Sequence, residues 1–207
     1  MLLNLRQLSV ALLFLLIGEL SWSQYRVGAM GGFGGTGLTS TTKINEVDVT
    51  VKRSDGPILV SFFAEYILRH NMSLALDMVQ GVTLNPYSSG VTFIGSTYKY
   101  YYLNSIPSTV KSPGQNSILL MQELSPYVGG SLGLAKGQIS RQNDLVPEVS
   151  AEGVYMGFRT GVDYQFAPNF VIRGELMAAL TPGSSGLIQS SLSAFGLLAG
   201  ITYILNN

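Results

Sequence analysis

Charge is scarce in this chain. Only 12% of its 207 residues are Asp, Glu, Lys or Arg, and they balance to a formal net charge of zero. A typical soluble domain carries about twice that share, so part of this surface is expected to face something other than water. The zero balance removes the basic field that would attract nucleic acid. Cysteine is absent, which excludes a disulfide scaffold and any cysteine-based zinc site. His70 is the single histidine, which excludes a histidine-rich metal site; no cofactor is expected. After residue 24 helical periodicity is almost missing, and no later stretch is apolar enough to cross a bilayer as a helix.

What is present begins with a leader. Arg6 precedes an apolar run from Leu8 to Ile17, followed by Ser21-Trp22-Ser23. A positive residue, a short apolar core and a small-x-small site describe a secretory signal peptide over residues 1–23. Residues 24–207 then form one domain, of a size that suits a single fold. Only helices and closed barrels satisfy every backbone polar group in lipid, so a membrane protein with this sequence is a β-barrel.

Period-two alternation recurs over 25–35, 58–68, 72–82, 97–111, 117–135, 153–166, 170–180 and 192–205. Three links are short: Arg69-His70-Asn71, Ser112-Pro113-Gly114 and Ala167-Pro168-Asn169. Between them lie long links, Thr36 to Pro57, the stretch around Asn85-Pro86-Tyr87-Ser88-Ser89-Gly90, Lys136 to about Glu152, and Thr181 to Ser191. Strict alternation of long and short predicts an eight-stranded antiparallel up-and-down transmembrane barrel in a bacterial outer membrane, with short periplasmic turns and both termini in the periplasm.

The strand faces point the same way. Phe170, Ile172, Leu176 and Leu180 alternate with Arg173, Glu175 and Met177; Phe158, Val162, Tyr164 and Phe166 alternate with Arg159, Asp163 and Gln165. One face is apolar and the other carries the charges. Eight strands enclose an interior just wide enough for side chains, so small and charged residues are expected inside. The lumen network is expected to contain Arg26, Glu65, Asp77, Glu123, Arg159, Asp163, Arg173 and Glu175. Arg159 and Arg173 are expected at similar depth, each paired with an acid across the lumen. Tyr25, Tyr66, Phe166, Phe170 and Tyr203 fall at periplasmic strand ends on the outward face, as an interfacial aromatic girdle.

Several segments resemble the outer-membrane β-barrel family that groups PorT-like and OmpA-like proteins. Ser125-Pro126-Tyr127-Val128-Gly129-Gly130-Ser131-Leu132-Gly133-Leu134-Ala135 is similar to its glycine-rich fifth strand. Gly161-Val162-Asp163-Tyr164-Gln165-Phe166-Ala167-Pro168-Asn169-Phe170 resembles its sixth strand, turn and seventh strand. Arg173-Gly174-Glu175 sits where the family often carries an arginine and an acid, and Leu103-Asn104-Ser105-Ile106-Pro107 with Lys111 resembles its fourth strand. The resemblance implies outer-membrane lipid as surroundings and the barrel-insertion machinery as an assembly partner. The family commonly ends on an aromatic residue; Tyr203-Ile204-Leu205-Asn206-Asn207 departs from that.

Motifs with possible chemistry read as structural. Gly32-Phe33-Gly34-Gly35-Thr36-Gly37 matches a dinucleotide fingerprint by letter, but a polar loop follows where a helix is required; the glycines relieve crowding in a tight wall. Ser96 with Lys99 and Ser108 with Lys111 spell Ser-x-x-Lys, which needs a helix to bring the two groups together. Lys99-Tyr100-Tyr101-Tyr102 is expected near the outer rim. His70 in a periplasmic turn is on the wrong rim for an outer-leaflet lipid-modifying enzyme. The expected function is therefore non-enzymatic, structural, envelope-anchoring or surface-interacting, with an unidentified envelope protein as a possible partner. The rivals are a narrow pore, a lipocalin-like soluble barrel with reversed faces, and a lipid-modifying enzyme. N-terminal sequencing of the exported protein should give Gln24 as the first residue; a mature chain that still begins at Met1 would contradict the leader.

Overall fold

A computed structural model describes residues 25–44, 47–82, 89–103, 106, 110–111, 118–119, 124–139, 149–181 and 188–205. The leader and Glu123 lie outside the described residues. The described chain is all strand and turn: β1 (Tyr25–Ile44), β2 (Val47–Asp55), β3 (Ile58–Arg69), β4 (Met72–Val82), β5 (Ser89–Tyr101), β6 (Val110–Lys111), β7 (Ile118–Leu119), β8 (Leu124–Ile139), β9 (Val149–Ala167), β10 (Phe170–Leu180) and β11 (Ile188–Leu205).

Neighbouring strands pair antiparallel in the order β11, β10, β9, β8, β5, β4, β3, β1, and β1 closes the ring on β11. Closure runs from Tyr25 opposite Leu205 to Thr42 opposite Ile188. β2 and β3 occupy one wall position, because both pair with β1 in an unbroken register, Asp55 opposite Thr36 and Ile58 opposite Phe33. The Gly34 N–H bridges the break by donating to the Pro57 carbonyl at 3.2 Å. The result is the closed eight-stranded antiparallel barrel expected.

Three differences from the sequence reading have physical causes. Thr36 to Pro57, expected as a loop, is largely strand, since β1 and β2 continue the hairpin beyond the barrel wall. Its Thr- and Ser-rich composition hid it, although β-branched threonine favours strands. The fourth wall strand is 89–101 rather than 97–111. The link to β8 therefore runs from Tyr102 to residue 123 instead of turning tightly at Ser112-Pro113-Gly114, and it holds the small β6–β7 pair. Short and long links thus do not alternate throughout. Part of this link turns back toward the barrel: the Ile106 N–H donates to the His70 carbonyl at 2.7 Å, and Ile106 is buried with Tyr101 and Tyr127.

The two turns His70-Asn71 and Pro168-Asn169 lie at the rim that also carries Tyr25 and Leu205, called here the terminal rim. The exterior is apolar. Phe33, Phe62, Leu76, Leu134, Phe158, Leu176, Phe195 and Leu197 are all more than half exposed. Inside, rings lie over glycines. Gly133 pairs with both Gly95 and Tyr155, and a Cβ on Gly133 would sit 2.2 Å from the Ile94 carbonyl and 2.8 Å from the Tyr155 ring. Phe63 covers Gly28 and Tyr127 covers Gly161 in the same way. Gly133→Val should therefore destabilise the barrel by about 1–3 kcal/mol through overpacking, read as a lower urea midpoint in lipid vesicles; an unchanged midpoint would show that the wall can yield.

Candidate functional site

The pleat sends alternate side chains of every strand into the lumen, and the lumen has two layers. The layer nearer the terminal rim is ionic. Among the described residues, the buried charges are Arg26, Lys99, Arg159, Arg173, Glu65, Asp77, Asp163 and Glu175, four cations against four acids. The other layer is apolar, built from Leu59, Val79, Phe93, Met177, Leu192 and Leu198 with their neighbours.

Arg173 on β10 is the centre of the ionic layer. Its Nε donates to Asp163 Oδ1 at 2.7 Å, and its Nη2 donates to Asp163 Oδ2 and Glu65 Oε2, both at 2.8 Å. Arg26 on β1 donates to the same Asp163 Oδ2 and lies 3.8 Å from Glu65. The Tyr101 hydroxyl donates to Asp163 at 2.9 Å, and Ser73 donates to Glu65. Deeper in the lumen Arg159 joins Glu175 at 2.7 Å and Asp77 at 3.0 Å, while Tyr127 donates to Glu175 at 2.6 Å. Thr97 donates to Asp77 at 2.5 Å, and Arg159 Nε donates to Ser131 at 3.0 Å. Lys99 lies between the two groups, 3.9 Å from Glu65 and 3.7 Å from Glu175, with the Phe63 and Tyr127 rings at 5.2 and 5.0 Å. A charge in this space is tolerable only when it is paired; seven of the eight are both ion-paired and hydrogen-bonded, and Lys99 is held by its two acids and the two ring faces.

Seven of the eight residues singled out from the sequence stand in this layer. Glu123 lies outside the described residues. Lys99 was missed, because the strand carrying it was placed too late in the chain. Lys99, Tyr100, Tyr101 and Tyr102 lie at the terminal rim, opposite to the expected outer rim, since β5 runs toward the end where β4 begins. Arg159 and Arg173 also differ from expectation. Arg173 faces Asp163 across the β9–β10 pair, whereas Arg159 faces Met177, two inward rungs deeper. The pairing scheme therefore stacks in depth instead of placing two arginines side by side.

The apolar layer departs from a wholly polar interior. Leu192 on β11 reaches across the lumen: a Cβ placed on Gly137 of β8 would lie 3.1 Å from a Leu192 methyl. Leu59 lies against the backbone of Gly34 and Gly196 in the same way. On the outside, Tyr25 and Tyr66 stack at 5.3 Å, Phe166 and Phe170 at 6.1 Å, and Phe170 and Tyr203 at 5.2 Å. All five rings sit at the terminal rim, joined there by Tyr98 and Tyr100. The exposed His70 is in the turn at that rim. Gly32 to Gly37 continue β1 as strand, so the phosphate-binding loop their letters suggest has no following helix.

No family model matches the chain, and no curated protein matches it as a relative. Solved structures do. Neisserial surface protein A superposes with a TM-score of 0.55 at 13% identity, covering 88% of this chain and 99% of its own. The N-terminal β-barrel domain of Pseudomonas aeruginosa OprF gives a TM-score of 0.50 at 15% identity, covering 86% and 97%. At such identities the likeness is one of fold. Arg173→Ala would remove the cation shared by Glu65 and Asp163 and leave both acids to Arg26, with Lys99 at 3.9 Å from Glu65. Breaking a buried pair costs about 3–5 kcal/mol when no other cation compensates, so a loss of about 2–4 kcal/mol is expected. Urea unfolding in vesicles measures it; a loss under about 1 kcal/mol, the value of a solvated pair, would show that water reaches the ionic layer freely.

Proposed function

We propose that the chain is an integral outer-membrane protein with a structural, envelope-anchoring or surface-interaction role and a closed lumen. The observation that carries this is the inverted distribution of polarity, with bulky apolar side chains outside and eight mutually paired charges within. In water such an exterior would aggregate; in lipid it is the stable arrangement. A lipocalin-like soluble barrel requires the opposite faces, and Arg173 and Glu175 on the inner wall speak against it.

The terminal rim faces the periplasm in this reading. It carries the two tight turns and the aromatic girdle, and also the long link from Tyr102 to residue 123, while the β1–β2 hairpin projects at the other rim, as longer surface loops do. The resemblance to PorT-like and OmpA-like proteins supports the same orientation. A catalytic role is not part of the proposal: His70 is at the terminal rim, away from the outer leaflet that a lipid-modifying barrel would serve. Surrounding lipid and the insertion machinery are the expected partners, and an envelope protein could engage either rim.

Fractionation of cells that make the protein tests the proposal. The barrel should sediment with outer membranes and migrate faster on a gel unboiled than boiled. Recovery in the soluble periplasmic fraction, with no mobility shift, would overturn it.

A further inference from the structure

The ionic layer lies close to the terminal rim and is nevertheless dry. Arg26 is the second residue of β1, yet its side chain is 0% exposed. Ser73, the second residue of β4, is buried as completely. The apolar layer lies on the far side of these charges, so the mouth itself must be covered. On one half of the mouth the cover comes from the wall. Val171 of β10 and Ile204 of β11 are fully buried, and the Ile204 N–H donates to the Asn169 carbonyl of the turn at 2.8 Å.

The other half is covered by a residue that belongs to no strand. Ile106 comes five residues after β5 ends at Tyr101, and it is 3% exposed. It packs against Tyr101 of β5, Tyr127 of β8 and Ile67 of β3, at inward positions of three wall strands. Its N–H donates to the His70 carbonyl of the β3–β4 turn at 2.7 Å, which sets it at the level of the rim. The Tyr101 and Tyr127 rings lie 5.2 Å apart, and their hydroxyls end in the ionic layer. Tyr101 donates to Asp163 at 2.9 Å and Tyr127 to Glu175 at 2.6 Å. Val171 and Ile204 sit in strands that are paired on both sides, whereas the described backbone tie of Ile106 is one hydrogen bond. Among the described residues, Ile106 is thus the piece of the cover that can leave without breaking the sheet.

We propose that Ile106 is the bolt of a door on the terminal side of the lumen. Seated, it keeps the ionic layer dry. Withdrawn, it admits water and small solutes to Tyr101, Tyr127 and the acids behind them, while the apolar layer keeps the bore shut. The inference deepens the closed-lumen reading above and rests on it. Burying one isoleucine side chain favours the seated state by roughly ten- to a hundredfold. That holds the door shut at rest and leaves it within reach of a binding event at the rim.

The chain has no cysteine, so an introduced one is a unique reporter. Ser73→Cys puts a thiol just inside Ile106, on the rung between Ile67 and Lys99. Ala194→Cys puts one in the apolar layer. Each full chain is folded into lipid nanodiscs, verified as a heat-modifiable barrel and labelled with a water-soluble methanethiosulfonate. Both thiols should react slowly. Adding Ile106→Ala should speed labelling at position 73 roughly tenfold and leave position 194 unchanged. Ile106→Leu, which keeps the volume, should change either rate by less than about twofold. An unchanged rate at position 73 with Ile106→Ala, or equal acceleration at both positions, would overturn the bolt. So would a thiol at position 73 that reacts at the rate of an exposed one while Ile106 is intact. Fast labelling at position 194 with Ile106 intact would instead overturn the closed lumen on which the door depends.

Discussion

Closure of the sheet by β1 on β11 is the constraint from which the other features follow. Along that seam, from Tyr25–Leu205 to Thr42–Ile188, the first and last strands of the chain satisfy each other's backbone groups. A closed ring has no edge to defend, and every wall position then faces either in or out. With eight strands the inside is narrow. Whatever projects inward has to be small, apolar or fully paired, because water cannot flow past to solvate it.

The interior meets that demand in two ways at two depths. Among the described residues of the ionic layer, acids and bases are matched in number and interleaved across strands far apart in sequence: Arg26 with Asp163, Arg159 with Asp77, Arg173 with Glu65. These contacts cross the lumen and tie opposite walls together, so they hold the ring's shape as well as filling it. Beyond them, Leu59, Phe93, Leu192 and Leu198 belong to one buried hydrophobic cluster inside the wall. An apolar constriction excludes ions by refusing to be wetted, so in the closed-lumen reading proposed above the salt bridges do not act alone. The glycines belong to the same economy of space, since Tyr155, Tyr127 and Phe63 can lie across the bore only where the facing wall has no side chain.

The legible part of the fold was the part where inside and outside differ in chemistry. Over 58–69, 72–82 and 170–180 the charges of Glu65, Asp77, Arg173 and Glu175 alternate with bulky apolar residues, and those strands were found nearly to the residue. Where the inner face is itself apolar the contrast vanishes. Leu192 and Leu198 point inward while Phe195 and Leu197 point outward, and nothing in their composition distinguishes them. The same loss of contrast displaced the fourth wall strand. Gly95, Ser96 and Thr97 are small on both faces, whereas Ile106 and Val110 further on resemble strand residues. Ile106 is buried because it folds against Tyr101 and Tyr127 at the terminal rim, a tertiary contact that no local periodicity reports. Lys99 was lost to the lumen network for that reason alone.

The closed lumen is tested most directly by recording current through single purified barrels in a planar bilayer, with insertion verified by heat-modifiability. A silent bilayer across a wide voltage range is the expected result for a bore filled by paired charges and sealed by Leu59, Phe93, Leu192 and Leu198. A stable, large conductance from the unmodified protein would contradict both layers at once and establish the barrel as a pore.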